Sequence, residues 1–497
     1  DGATSGALLR LFLRDLGIEA RSYVPDRLTE GYGPNVTAMR TLATEGITLC
    51  LTVDCGTTAF DPLDAARSAG MDVIVLDHHT AEITLPPAVA VVNPNRLDET
   101  SEHGTLAAVG VTFLFCVAVN RTLRQRCFYA TRQEPDLLRY LDLVALGTVA
   151  DVVPLVGLNR VLVAQGLEVM ARRQNLGITA LADISGLKER PQAWHLGFLL
   201  GPRVNAGGRV GRSDLGTRLL VTTDPLEAQQ LAQALHQLNE ERRTLEALIT
   251  EQALLQAEAQ VQAGCSVLVV TDEVWHPGVI GIVAGRLKER YNLPALVLGG
   301  NEGRLTGSGR SVRGVDLGAA VICARQAGLI LKGGGHAMAA GVTLLPDQLA
   351  PFRAFLEERI GAERVRNGAD GPLTLHCDAV LSVGGASVPF ITQLDRLAPF
   401  GQGNPEPRVV IRDVRIGFAK AVGSDGDHVT CRLRGTDGQT MKAIAFRSAT
   451  LPHGEALLNA GQRLFHVLGT LRVETWGQKT APSLQISDVA DALGGLA

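Results

Sequence analysis

No apolar run in these 497 residues approaches the ~18 needed to cross a bilayer, which excludes a membrane-spanning helical chain. The opening residues lack the basic-then-apolar pattern of a secretory signal. There is no basic excess either: formal net charge is −4, so the chain is not a general nucleic-acid coat and any phosphate site must be local. None of the eight cysteines forms a Cys-x-x-Cys pair; Cys50 and Cys55, in or beside a predicted strand, read as reduced thiols of a cytoplasmic protein. The first residue is Asp1 rather than Met and lies inside a motif, so the natural amino-terminal segment is expected to be missing. Apolar residues are plentiful at 46%, enough to build several cores, and the length suggests about three domains at ~150 residues each.

The chemistry gathers at the ends of apolar segments. Asp72-Val-Ile-Val-Leu-Asp77-His78-His79-Thr80 reads as a buried parallel strand closing on an acid and two imidazoles. Open α/β sheets hold ligands at the carboxyl ends of their strands, and carboxylate with imidazole suits a divalent cation. A second strand, from Ile47, ends in Asp54-Cys55-Gly56, and a third covers Ala88 to Asn93. An apolar helix spans Leu106 to Leu123, and another, Leu137 to Leu146, runs into Gly147-Thr148-Val149-Ala150-Asp151. Asp1-Gly-Ala-Thr4-Ser5 leads into a further helix that Thr4 or Ser5 would cap. One acid per element end is common. Asp1, Asp54, Asp77, His78, His79 and Asp151 at successive junctions of one α/β unit point to a shared metal site.

Other segments leave alternatives open. The loop Val24 to Gly33 would hold a phosphate with Arg27 and stack a base on Tyr32, or it is an ordinary connection with a half-buried tyrosine. Leu199 to Gly211, with Arg203, Asn205 and Arg209 among glycines, is a phosphate nest or simply a turn. Asp224-Pro225 opens a helix ending near Gly264, with leucines at three- and four-residue steps and the charged Asn239–Arg243 stretch as a solvated face. A second α/β unit begins at Ser266. In it, Leu305 to Ser311 offers Ser308 and Arg310 between glycines as an anion cradle, and Lys332-Gly-Gly-Gly-His336 brings backbone close to a neighbour. Asn367 to Pro372 is a linker. Beyond it, five or six short strands with Arg415, Lys420, Arg432, Arg434 and Lys442 fit a small OB-like β-barrel.

Assembled, these motifs resemble the DHH phosphoesterase superfamily, and within it the single-strand-specific DNA exonucleases. Asp1-Gly-Ala-Thr-Ser5 resembles the second half of the superfamily's opening motif, whose first Asp would precede residue 1. Thr52-Val-Asp54-Cys-Gly56, Asp77-His78-His79 and Gly147-Thr-Val-Ala-Asp151-Val-Val-Pro154 resemble its second, namesake and fourth motifs. Arg203-Val-Asn205-Ala-Gly-Gly-Arg209 and Gly307-Ser-Gly-Arg-Ser311 match the exonucleases more narrowly, Gly334-Gly-His336-Ala-Met-Ala-Ala-Gly341 matches the superfamily's associated second domain, and Pro399-Phe-Gly-Gln-Gly-Asn-Pro-Glu-Pro407 resembles the segment leading into the exonucleases' OB-fold. The resemblance implies an α/β fold with four parts: a parallel-sheet DHH catalytic domain at 1–215, a connecting helix at 216–264, a phosphate-binding domain at 265–366 and an OB-fold-like domain at 367–497. It also implies two Mn2+ or Mg2+ ions at Asp1, Asp54, His78, His79 and Asp151, with Asp54 as bridge and Asp77 as ligand or orienter of a histidine. His336 falls where the family contacts the scissile phosphate. Arg27, Ser308 and Arg310 fall in the pocket for a terminal 5′-phosphate, Tyr32 beside it and Arg209 along the same path. The implied activity is 5′-to-3′ hydrolysis of single-stranded DNA to mononucleotides in repair and recombination. The implied protein is a cytoplasmic monomer acting on 5′-phosphorylated strands, with a single-strand-binding protein and a helicase as partners and no membrane. Two alternatives stand beside this: a phosphodiesterase of small substrates such as oligoribonucleotides, cyclic dinucleotides or polyphosphate, and a single-strand-binding module without catalysis.

Overall fold

The computed structural model of the chain describes residues 1–26, 30–301, 303–367, 374–476 and 479–492. Arg27 lies outside the described residues, as do 368–372 of the expected linker. Two compact units are present, Asp1–Pro372 and Leu373–Ala497. All eight cysteines are free thiols, and no helix of the described residues is long and apolar enough to cross a membrane.

The first unit opens with α1 (Gly2–Asp15), α2 (Val36–Thr44), β1 (Leu49–Val53), α3 (Phe60–Ser68), β2 (Asp72–Leu76), β3 (Ala90–Val92), α4 (Ala108–Gln125) and α5 (Leu141–Ala150). β1, β2 and β3 form a parallel sheet with β2 in the centre. Alternation along β2 serves two cores. Val73 and Val75 pack with Met39, Leu42, Leu63 and Ala66 under α2 and α3, whereas Ile74 and Leu76 join the larger core of α1, α4 and α5. Thr4 and Ser5 do not cap α1. The helix already begins at Gly2, both residues are buried within it, and Asp1 stands at the cap position.

Helices α6 (Gly157–Ala171), α7 (Leu176–Ile184) and the short α8 (Ala193–His195) follow. Leu196–Leu200 is a π-helical turn that runs directly into α9 (Gly201–Val210). The glycine-rich 199–211 segment is therefore helix, not a nest or turn. Its glycines allow close packing: a Cβ on Gly207 would lie 2.6 Å from the Arg212 carbonyl oxygen, and one on Gly201 2.8 Å from that of Leu196. α10 (Leu215–Val221) is a separate short helix, and the connecting helix α11 runs Pro225–Gln262, capped by Asp224, whose carboxylate accepts the Leu226 N–H at 2.8 Å. The Asn239–Arg243 stretch is not simply a solvated face. Asn239 is buried, Arg242 nearly so, and both turn inward together with Glu246.

The second lobe carries β4 (Leu268–Asp272), α12 (Pro277–Tyr291), β5 (Ala295–Asn301), β6 (Arg304–Arg310), α13 (Leu317–Gln326), β7 (Lys332–His336), β8 (Ala339–Leu344) and α14 (Leu349–Arg366). The sheet order is β4-β5-β6-β8-β7, parallel only between β4 and β5. α11 and α12 cover one face, α13 and α14 the other. The 305–311 segment expected as a backbone cradle is strand β6. Gly307 and Gly309 face the core, where a Cβ would meet Val342 at 2.7 Å or Leu317 at 2.6 Å, and Ser308 and Arg310 face the opposite side.

The second unit contains β9 (Ala379–Leu381), α15 (Val388–Asp395), β10 (Arg408–Val422), β11 (His428–Arg434), β12 (Thr440–Ala445), α16 (Pro452–Leu458), β13 (Leu464–Trp476) and β14 (Lys479–Asp491). Pairings run β10–β11–β12–β14–β13 and return to β10, whose two halves pair with different neighbours. β12 and β14 run parallel and the other ring pairs antiparallel, the arrangement of an OB-fold.

Candidate metal centre and phosphate surface

The in-register ends of β1 and β2 place the acids side by side, since Val53 pairs with Leu76 and the next residues are Asp54 and Asp77. Asp54 sits at φ +60°, an uncommon conformation for a non-glycine residue that re-aims its carboxylate as the strand ends. One oxygen accepts the Gly2 N–H at 2.9 Å; the other lies 3.3 Å from His78 Nε2. Asp1 is held by α4: its carboxylate accepts the Ala108 and Val109 N–H groups at 2.7 and 2.9 Å, a helix N-terminus receiving an anion. Asp151 caps the carboxyl end of α5, where the helix dipole disfavours negative charge. α5 comes this close because residue 147 is glycine: a Cβ there would lie 2.2 Å from Thr4 Oγ1 and 2.8 Å from Val109 Cγ1. Val152, immediately after Asp151, is at φ +63°, a strained position for a β-branched residue.

Both imidazoles are oriented from behind. His78 Nδ1 lies 3.1 Å from the Leu106 carbonyl oxygen and donates to it, so Nε2 carries the lone pair. That Nε2 is buried and has no hydrogen-bond partner, yet three carboxylates surround it: Asp54 at 3.3 Å, Asp151 at 3.6 Å and Asp1 at 3.9 Å. His79 Nδ1 lies 2.7 Å from Asp77, which leaves its Nε2 facing outward. Asp77 is buried and also accepts from the His78, His79 and Thr57 N–H groups. Burial raises its pKa, but the His79 and Thr57 hydrogen bonds outweigh this and hold it well below the usual carboxylate range. Burial lowers the His78 pKa, and Asp54 and Asp151 reverse that to a net rise; the Asp77 hydrogen bond raises that of His79; burial raises that of Asp151. Two sets of donor atoms result, each within 4.8 Å: Asp54, His78 and His79, and Asp1, His78 and Asp151. Three clustered carboxylates around a lone-pair nitrogen are mutually repulsive unless a cation joins them, and the donor set fits a hard divalent metal. Asp77 belongs to neither set; its lone pairs are engaged in orienting the histidine loop.

The polar residues behind this loop were not singled out in the sequence. Asn93 donates to Thr57 Oγ1 at 2.9 Å and to the His79 carbonyl at 2.8 Å, and Asn95 donates to the His78 carbonyl at 2.5 Å. The Asn93-Pro-Asn95 spacing after β3 was the available signal, and it reads as a plain turn. Tyr32 stands at the mouth, its hydroxyl 2.5 Å from the Asp54 carbonyl and its ring edge-on to His79 at 6.0 Å.

Ser308 and Arg310 lie together against α12. Arg310 Nη1 donates to Ser308 Oγ at 3.2 Å, and a Cβ on Gly281 would lie 2.9 Å from that oxygen and 3.3 Å from Arg310 Nη2. Burial lowers the Arg310 pKa, and among the described residues no carboxylate pairs with it. A half-buried guanidinium beside a hydroxyl and without a counter-charge suits a bound anion. Arg209 reaches the start of the same helix, donating to the Gly278 carbonyl at 3.0 Å. His336 is exposed on the β7–β8 hairpin, where its Nδ1 accepts the Met338 N–H at 3.3 Å.

A parallel sheet ending in Asp-His-His against further acids, followed by a lobe whose strand β6 carries Ser308 and Arg310 side by side, is the layout of a DHH phosphoesterase. Residues 1–148 match the family model "DHH family, N-terminal domain", 264–362 the "DHHA1 domain" and 377–488 the "RecJ OB domain". The single-stranded-DNA-specific exonuclease RecJ of Dickeya dadantii is 39% identical over 419 residues, covering 82% of this chain and 72% of that protein. RecJ of Bacillus subtilis is 34% identical over 494 residues, covering 99% of this chain; the chain spans 60% of its length. The Mn2+ complex of Thermus thermophilus RecJ superposes with a TM-score of 0.79 at 31% identity, covering 99% of this chain and 67% of that one, and an Mg2+ complex of the same protein also matches. The chain belongs to the RecJ family.

Proposed function

We propose that this protein hydrolyses single-stranded DNA from its 5′ end, releasing 5′-mononucleotides, with two divalent cations, Mn2+ or Mg2+, held by Asp1, Asp54, His78, His79 and Asp151. In the reaction, water oxygen bonds to phosphorus, the P–O3′ bond breaks and the departing O3′ takes up a proton. The cations supply an ionised water and charge neutralisation at the phosphate. The residues do the rest. The Leu106 carbonyl and Asp77 fix the tautomers of His78 and His79, so that each imidazole presents Nε2 as a lone-pair donor. Gly2 and the first turn of α4 orient the carboxylates of Asp54 and Asp1 through backbone N–H groups. Ser308 and Arg310 bind the terminal 5′-phosphate, with Arg209 on the same path and Arg27 assigned there by resemblance. Tyr32 receives the adjacent base, and His336 contacts the scissile phosphate. The chain acts on single strands during repair and recombination, and the OB-fold unit gives it a further strand-binding surface.

The observation that carries this reading is the buried, unpartnered Nε2 of His78 among three carboxylates. The names of the curated relatives support DNA over a small-molecule substrate. In the full-length protein, Asp54→Ala is expected to lower Mn2+-dependent cleavage by about a thousandfold or more while strand binding persists; cleavage at the wild-type rate would refute it.

A further inference from the structure

The connecting helix α11 passes between two apolar cores. Its buried residues up to Leu235 belong to the first lobe, and from Ile249 onward they belong to the second. Between Leu235 and Ile249 its buried positions are Asn239 and Glu246, both polar. Glu246 uses both carboxylate oxygens. One accepts from Arg242 on its own helix at 2.9 Å; the other pairs with Arg286 of α12. Arg242 in turn donates to Asn239 Oδ1 at 3.2 Å. A spacer needing only a core would carry apolar residues here. Ion pairs at a crossing define one geometry where sliding apolar surfaces would tolerate several.

That geometry matters because α12 carries the wall of the phosphate pocket. Gly281, against which Ser308 and Arg310 lie, stands five residues before Arg286, ~8 Å along the helix. At the start of α12, Gly278 is tied to Arg209 of the first lobe. α12 is thus fixed to the metal-bearing lobe at one end by Arg209 and, farther along, by Arg286 on Glu246 to the connecting helix that is rooted in that lobe's core. We infer that Glu246 is a positioning residue: its ion pair with Arg286 sets the separation between the 5′-phosphate pocket and the acid–histidine cluster, and so places the first phosphodiester for cleavage. This rests on the nuclease reading above.

The test uses the full-length protein, with Glu246→Gln and Arg286→Gln made singly and together. The substrates are one DNA strand bearing either a 5′-phosphate or a 5′-hydroxyl. Both variants are expected to lower kcat on the phosphorylated strand at least fivefold with KM and Mn2+ affinity unchanged, and to leave the hydroxyl strand within twofold. The double variant should be no worse than either single one. Equal losses on both strands, or none on either, overturn the positioning role. Because Arg286 is half exposed, its variant keeps the test open should Glu246→Gln fail to fold. A wild-type protein that prefers phosphorylated ends while the variants keep that preference overturns the interlobe role alone. A wild-type protein that cuts neither strand overturns the nuclease reading and this proposal with it.

Discussion

Replacing Asp77 by Asn isolates the orientation of the histidine loop from charge at the metal cluster. The Asp77 carboxylate accepts from Thr57 N–H at 3.0 Å, His78 N–H at 2.8 Å, His79 N–H at 3.3 Å and His79 Nδ1 at 2.7 Å. An asparagine has one oxygen, so its amide nitrogen must face Thr57 N–H or the imidazole. Facing Thr57, it orphans a buried donor, which costs about 1–3 kcal/mol. Facing His79, it donates to Nδ1 and drives the proton to Nε2, the atom proposed to hold the cation. Either way a charge-assisted bond worth about 1.5–3 kcal/mol is lost. Mn2+ affinity should then fall about 10–100-fold, as for other residues that orient a ligand, and the melting temperature should drop. Isothermal titration of Mn2+ into wild-type and Asp77→Asn protein reads the first effect, thermal unfolding the second. Mn2+ affinity within about twofold of wild type would refute the orienting role, because both amide orientations remove the charge-assisted bond that holds His79.

Gly147→Ala should destabilise the first unit by about 1–3 kcal/mol and weaken Mn2+ binding, since the new methyl would displace α5, and Asp151 with it, from Thr4 and Val109; denaturant unfolding and metal titration measure both. Asp142, buried in α5, has its pKa pushed up to about 7 by burial, which its hydrogen bond from Leu143 only partly offsets. The unfolded side chain releases its proton near pH 4 and the folded one near 7, so stability is full below the first value, falls between them and stays reduced above, by up to about 4 kcal/mol. Asp142→Asn should therefore flatten the stability profile between those values and stabilise the protein at alkaline pH; an unchanged slope counts against the burial argument.

Much of this was legible from element ends. Runs of Val, Ile and Leu closing on Asp54 and on Asp77-His78-His79 leave little choice but parallel strands with their acids at one edge, and Asp224-Pro225 marks a helix start by cap chemistry alone. Glycine misled the reading twice. In 201–210 and 304–310 it signals close packing inside a helix and a strand, and a sequence does not distinguish a glycine that frees the backbone from one that makes room for a neighbour. The charged stretch on α11 hid its buried members because Asn239, Arg242 and Glu246 partner one another along the helix, and the contact that turns them inward, Glu246 with Arg286, lies 40 residues away. Asp77 and Asp54 look alike as strand-end acids; only hydrogen-bond accounting separates the orienter from the acid facing His78 Nε2.

The most direct test of the central claim is an anomalous-difference map at the manganese edge from crystals of the protein grown with Mn2+. Two peaks within ligand distance of His78 Nε2, His79 Nε2, Asp1, Asp54 and Asp151 are the predicted result. An empty cluster, or manganese bound only elsewhere, would contradict it.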